Sequence, residues 1–212
     1  PNPIAGSMAN PMRDDETLIR GLGFYVQDAA PDQALHVAFV RSDHAHAQVL
    51  EVDASAAMAL PGVVAVWQAS DVAAVVTPGV NPLWPPLQDM PMPLLAGPLV
   101  EHVGQAVAMV LAQDAATAQE AALLVQVSLE ALPTGATDDP GASVVHQVAH
   151  THGQAQGQVA VVARADLTVP RLLAMAMEPR ACVAQWQGDS QRLKVWLGSQ
   201  TPARAQADIA RA

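Results

Sequence analysis

The sequence predicts an α+β fold, in which short valine-rich strands and alanine-rich helices share a chain of 212 residues. Two observations carry that expectation. The runs Ala34–Val40 (ALHVAFV), Ala47–Val52 (AQVLEV) and Val63–Trp67 (VVAVW) are bounded by polar or Pro-Gly punctuation, which at such lengths favours strands over helices. Asp53 and Asp114 each precede an alanine-rich stretch, DASAAMAL and DAATAQEAALL, as helix N-caps do. The hydrophobic fraction of 51% supplies ample core, and the aromatic fraction of 3% means that Ala, Val, Leu and Met must build it.

Composition also removes several classes of function. The formal net charge is -10, with ten Lys and Arg scattered along the chain, whereas binding nucleic acid or an anionic membrane surface requires a basic stripe. A run of about 18 apolar residues, long enough to cross a bilayer, is absent from the sequence. A single cysteine, Cys182, excludes an internal disulfide and fits a reducing, cytoplasmic setting. Residues 1–12 read as a tag or a disordered N-terminus, because PNPIAGSM resembles an expression remnant and no secretory signal follows it.

The elements then follow in order. Gly21 and Gly23 flank Leu22 ahead of Phe24, Tyr25 and Val26; this spacing suits a close backbone crossing or a positive φ. It lacks the strand and helix that a dinucleotide fingerprint needs. Strand, polar corner, strand, short helix and strand fill Ala34–Trp67, with Pro61-Gly62 stopping the helix, and a further short helix starts near Ser70. Thr77–Pro98 holds seven prolines and reads as a loop, since proline removes a donor and fixes φ. That loop is apolar enough to lie over its own domain or to dock on another. Val107–Ala112 reads as a strand, Asp114 caps a helix with Ala115, Ala118, Ala122 and Val125 on one face, and Val125–Glu130 reads as a strand. Together they form a unit of crossover size.

The polar stretch 134–157 is the expected linker between a domain at 13–133 and a second segment at 158–212. In the second segment a short helix is expected from Gln158 and a strand over Leu167–Met177. A hairpin of Ala181–Gln187 and Leu193–Leu197 turns at Gly188-Asp189, and a helix opens at Pro202.

Candidate chemistry is sparse. His44 and His46 face one way on an extended segment, but no third ligand completes a zinc set, so hydrogen bonding at a corner is the better reading. His146, His150 and His152 read as solvated loop residues. Glu178, between Met175, Met177 and Arg180, is either a desolvated proton-transfer group or, the reading preferred here, a carboxylate paired with Arg180 or Arg171. Cys182 reads as a buried small hydrophobe, and Gln105 as a side chain bonded to backbone. Neither a catalytic residue nor a metal site is expected.

An ordered set of residues resembles the molybdenum-binding large subunit of the xanthine dehydrogenase, aldehyde oxidase and carbon monoxide dehydrogenase family. It runs Arg13-x-Asp15, Gly21-x-Gly23-x-Tyr25-x-x-Asp28, Arg41-Ser42-x-x-Ala45-His46-Ala47, Asp53-x-Ser55-x-Ala57 and Pro61-Gly62-Val63. It continues through Val103-Gly104-Gln105-x-Val107-Ala108, Glu130-x-Leu132-Pro133, Met177-Glu178-Pro179-Arg180 and Gln200-x-Pro202. The resemblance implies an α/β-hammerhead domain followed by an incomplete α+β segment of a molybdopterin-binding domain. It implies an oxidoreductase that hydroxylates an aldehyde, a purine or another N-heterocycle, or oxidises carbon monoxide, at a molybdenum-molybdopterin cofactor. Iron-sulfur and FAD partner subunits would carry the electrons away.

Several family features are absent here: the Gly-rich pterin segments, the catalytic glutamate, and a glutamine beside Glu178 able to reach the metal oxo group. The chain is therefore expected to be structural, an N-terminal part or a split small subunit that is inactive and binds no cofactor alone. Glu178, Arg180 and Gln200 mark the neighbourhood where cofactor contact would be sought. The alternative is a non-enzymatic hammerhead scaffold or interaction module.

Overall fold

The computed structural model describes residues 16–73, 79–80, 91–134, 153, 165–170, 172–173, 175–176 and 178–212. The expected tag, the middle of the proline-rich loop, most of the linker with its three histidines, and the helix expected from Gln158 lie outside them. The chain forms two compact units, one of residues 1–34 with 173–202 and one of 35–172 with 203–212.

The larger unit is built on β1 (His36–Arg41), β2 (Ala47–Asp53), β3 (Val63–Gln68), β4 (Gly79–Val80), β5 (Pro91–Met92), β6 (Leu99–Val100), β7 (Ala106–Ala112) and β8 (Gln126–Ala131). Its helices are α1 (Ser55–Met58), α2 (Ala69–Ala73) and α3 (Ala115–Leu124). β7 lies between β1 and β3 in one three-stranded sheet, β2 lies between β6 and β8 in another, and β4 pairs with β5. Every pairing is antiparallel.

The sequence of β7, AVAMVLA, explains its central place. Val107, Ala108, Val110 and Ala112 are all buried, the signature of a strand covered on both faces. Ala108 and Val110 pack with Ala57, Ala121 and Val125, while Val107 packs with Ala47, Ala96 and Val100; Val52 and Val127 touch both clusters. Burying one such valine contributes about 1.5–3 kcal/mol. Against this strand α3 presents Ala118 and Ala121, both buried, and residues that small let a helix approach a sheet closely. Asp114 starts α3: its Oδ1 accepts from the Thr117 N–H at 2.8 Å and its Oδ2 from the Thr117 hydroxyl at 2.7 Å.

Two details differ from the sequence expectation. The crossover-sized stretch sends its two strands into different sheets, because the chain leaves α3 in extended conformation at Val125 and β8 pairs with β2. There Val127 and Leu129 pack on the second cluster. Asp53 is one residue early as a cap: Ala54 holds the N-cap position, and Asp53 Oδ1 accepts from the Ser55 N–H at 2.9 Å. Gly62 ends this segment with φ +93°, a left-handed conformation that favours glycine.

The smaller unit contains a 3-10 helix, Val26–Ala29, and the hairpin of β9 (Cys182–Gln187) and β10 (Arg192–Leu197). Tyr25 N–H donates to Asp28 Oδ2 at 2.7 Å, closing the 3-10 helix on itself. Gly21 has φ +69°, the positive φ expected of this pair, while a Cβ on Gly23 would lie 2.9 Å from the side-chain atom Leu18 Cδ2 rather than against crossing backbone. Helix α4 (Pro202–Arg211), whose residues from Ala203 onward belong to the larger unit, opens with proline in its first turn.

The expectation for Leu167–Met177 fails: its described residues form no strand, and Leu167, Val169, Leu172, Leu173 and Met175 are each at least 84% exposed. Strand conformation persists where a neighbouring ladder satisfies the backbone, and none of these residues has one. Cys182 is likewise exposed rather than buried, because it lies on an uncovered face of the hairpin.

Candidate functional site

Two clusters hold the residues singled out in the sequence. The first is the corner between β1 and β2 in the larger unit. Arg41 Nη1 donates to the Gly104 carbonyl at 2.8 Å, the Ser42 N–H to the Gln105 carbonyl at 2.9 Å, and the Gly104 N–H to the Ser42 carbonyl at 2.8 Å. Gly104 meets this double exchange with φ +84°. Gln105 is buried, and its Oε1 accepts from the Glu101 N–H at 2.7 Å. The amide thus closes the turn before β7.

Both histidines of this corner are committed to neighbours. His46 Nδ1 donates to the Pro133 carbonyl at 2.8 Å, and Leu132 N–H returns a bond to the His46 carbonyl at 2.9 Å. His44 Nδ1 lies 2.6 Å from Asp43 Oδ1, and this side-chain bond is the main reason that the Asp43 carboxyl sits below its ordinary value. Since a carbonyl can only accept, His46 carries its proton on Nδ1. Among the described residues no three His, Cys, Asp or Glu come together as a metal set. This corner ties β1, β2, β7 and the end of β8 together, and its chemistry is structural.

The second cluster lies in the smaller unit. A cleft of about 270 Å³ is lined by Tyr25, Gln27, Glu178, Pro179 and Ala181. Glu178 Oε1 accepts from the Val26 N–H at 3.4 Å, a contact across 152 residues of chain. The expected pairing of Glu178 with Arg180 is not formed, and Arg171, the other partner expected, lies outside the described residues. The carboxylate sits on a bend before Pro179 and is directed instead to the first N–H of the 3-10 helix, where the unpaired donors of a helix start are found. Glu178 and Met175 are exposed, so the desolvation that a proton-transfer role would require is missing. Arg180 and Gln200 are exposed as well, Gln200 in the short connection from β10 to α4, where the Thr201 N–H bonds Ser199 Oγ at 3.0 Å. Sequence reasoning missed Gln27 as a cleft residue and the bond from Val26 to Glu178. No local pattern could have shown either, since each depends on a pairing between the two ends of the chain.

Comparison with known proteins places these clusters in a family. The aldehyde oxidase and xanthine dehydrogenase a/b hammerhead domain matches residues 20–133, more than half of the chain. The chain belongs to the aldehyde oxidase and xanthine dehydrogenase family. Within this family the molybdopterin cofactor-binding domain matches residues 139–212. The nicotine 6-hydroxylase large subunit of Paenarthrobacter nicotinovorans is 34% identical, over 91% of this chain and 26% of its own length. The carbon monoxide dehydrogenase large chain of Afipia carboxidovorans is 38% identical over 57% of this chain and 14% of its own. Among solved structures, the quinoline 2-oxidoreductase of Pseudomonas putida 86 matches with a TM-score of 0.80 at 32% identity, covering 93% of this chain and 27% of that one. The chain therefore spans about a quarter of the length of the first of these relatives and of this structure. The hammerhead of the family contains the His44–His46 corner, and the cofactor-binding part contains Glu178, Arg180 and Gln200.

Proposed function

We propose that this chain supplies the hammerhead, residues 13–133, and the first elements of the cofactor-binding domain, residues 158–212, of a cytoplasmic molybdenum hydroxylase. The linker 134–157 joins them. The whole assembly oxidises an aldehyde, a purine, another N-heterocycle or carbon monoxide, and passes electrons to iron-sulfur and FAD partner subunits. The observation that carries this reading is the succession, in one chain, of a hammerhead match over residues 20–133 and a molybdopterin cofactor-binding match over residues 139–212. The names of the relatives, a nicotine hydroxylase, a carbon monoxide dehydrogenase and a quinoline oxidoreductase, support the class of reaction. The free Cys182 supports a reducing compartment.

Within that assembly the chain's own part is structural. We propose as the groups that would face a molybdopterin the guanidinium of Arg180 and the amide of Gln200, both exposed. A guanidinium suits a pterin phosphate and an amide suits a hydrogen bond to a cofactor oxygen, so the residues present fit the group. The bound molybdenum centre supplies the redox chemistry. Glu178 has a different part, holding the 3-10 helix beside the start of the hairpin. Among the described residues, no arrangement of nucleophile and base is formed that would act without the cofactor. The scaffold alternative has no observation in its favour.

The test is substrate-dependent dye reduction. The assembly purified from its own cells is expected to turn over with one of the four substrate classes, and the isolated chain with none. Turnover by the isolated chain would contradict its structural role, and failure of the assembly with every class would contradict the enzyme reading.

A further inference from the structure

We infer that Ser199 is a positioning residue, whose side-chain hydroxyl fixes the backbone of Gln200 and with it the direction of the amide that would face a molybdopterin. This rests on the functional reading above and adds to it the group that sets the geometry.

The connection that carries Gln200 has little packing to hold it. β10 ends at Leu197, which pairs with Cys182, and α4 opens at Pro202. Between them Gly198, Ser199, Gln200 and Thr201 are all exposed, and the chain bends at Gln200. A Cβ on Gly198 would meet nothing within 4 Å, so the segment leaves β10 through open space.

A hydrogen bond supplies what packing does not. Ser199 Oγ accepts from the Thr201 N–H at 3.0 Å, a turn of the kind that short polar side chains close over the following residue. The ring so formed runs from the Ser199 side chain through the Gln200 backbone to the Thr201 nitrogen, so φ and ψ of Gln200 both lie inside it. On the far side, Pro202 biases Thr201 toward extended backbone. The Gln200 amide offers an acceptor and two donors, but an exposed side chain on a freely rotating backbone would not present them in one place. A group misplaced by about 1 Å from a reacting centre can cost about 100-fold in rate. The serine hydroxyl removes the backbone part of that freedom.

The experiment uses the assembly purified from its own cells through a tag on this chain, with kcat per molybdenum and KM measured by substrate-dependent dye reduction. Ser199→Ala is expected to lower kcat about fivefold, the factor that one hydrogen bond carries, and to leave KM within about twofold. Ser199→Thr, which keeps the hydroxyl, is expected to restore kcat. The decisive comparison is with Gln200→Ala: adding Ser199→Ala to it is expected to lower kcat no further, a coupling that a serine acting independently of Gln200 lacks. Hydrogen exchange of residues 199–201, followed by mass spectrometry, is a readout independent of turnover. It is expected to be about fivefold faster in Ser199→Ala than in the wild type or Ser199→Thr. Additive losses in the double variant, wild-type kcat in Ser199→Ala, or unchanged exchange in that variant overturns the positioning role while the functional reading stands. A wild-type assembly that turns over none of the four substrate classes overturns both.

Discussion

Replacing Gln105 by leucine removes one hydrogen bond and leaves an apolar side chain one atom shorter, which makes it a probe of the corner that ties β7 to the loop before it. The side chain is 8% exposed, and its Oε1 accepts from the Glu101 N–H at 2.7 Å. A hydrogen bond of this kind contributes about 1 kcal/mol net, and a buried donor left without a partner costs about 1–3 kcal/mol. Glu101 itself is exposed, so water can reach its freed N–H and the loss should fall near the lower figure. Gln105→Leu is therefore expected to destabilise by about 1 kcal/mol, or about 2–4 °C in melting temperature for a chain of this size. The assay is urea unfolding of the purified chain followed by circular dichroism, comparing midpoints at constant slope. A leucine variant as stable as the wild type would refute the role assigned to this amide.

Other expectations follow from the same packing. Val110 is fully buried at the centre of β7; Val110→Ala removes about two methyl equivalents and should cost about 1.5–3 kcal/mol in urea unfolding, depending on how far the site collapses. At Gly62 a Cβ would lie 3.3 Å from Thr117 Cγ2 in a backbone held at φ +93°, so Gly62→Ala should destabilise by about 1 kcal/mol or more in the same measurement. Asp114 is held below its ordinary value of 3.8, first by the Thr117 N–H and then by the Thr117 hydroxyl. A lowered folded-state value means that its stabilisation is present above pH 3.8 and is lost as pH falls through the folded value. Asp114→Asn, which caps without titrating, should flatten that acid limb in thermal melts between pH 7 and pH 3.

The legible parts of the fold are those fixed by local chemistry. Asp114 ahead of an alanine-rich run, Pro61-Gly62 after one, and Gly188-Asp189 between two apolar runs each announce an element or its end, and all three lie where expected. Sheet membership was not legible, because the period of β8 says that one face is buried but not against which strand, and its partner β2 lies more than seventy residues earlier. Residues Leu167–Met177 show the opposite error: their composition is that of a strand, yet composition cannot supply the neighbour that a strand requires. The corner at Arg41–Ala47 stood out through two histidines that suggest ligands, and the bonds to Asp43 and Pro133 occupy them structurally. Glu178 stands out in the sequence as a carboxylate among apolar residues, but the partner it finds, the Val26 N–H 152 residues away, has no sequence signature.

The most direct measurement of the central claim is the molybdenum and pterin content of the natively expressed assembly, determined per mole of this chain. About one molybdenum and one pterin per chain are predicted. An assembly that contains this chain in full amount and neither molybdenum nor pterin would contradict the assignment of the chain to a working molybdenum hydroxylase.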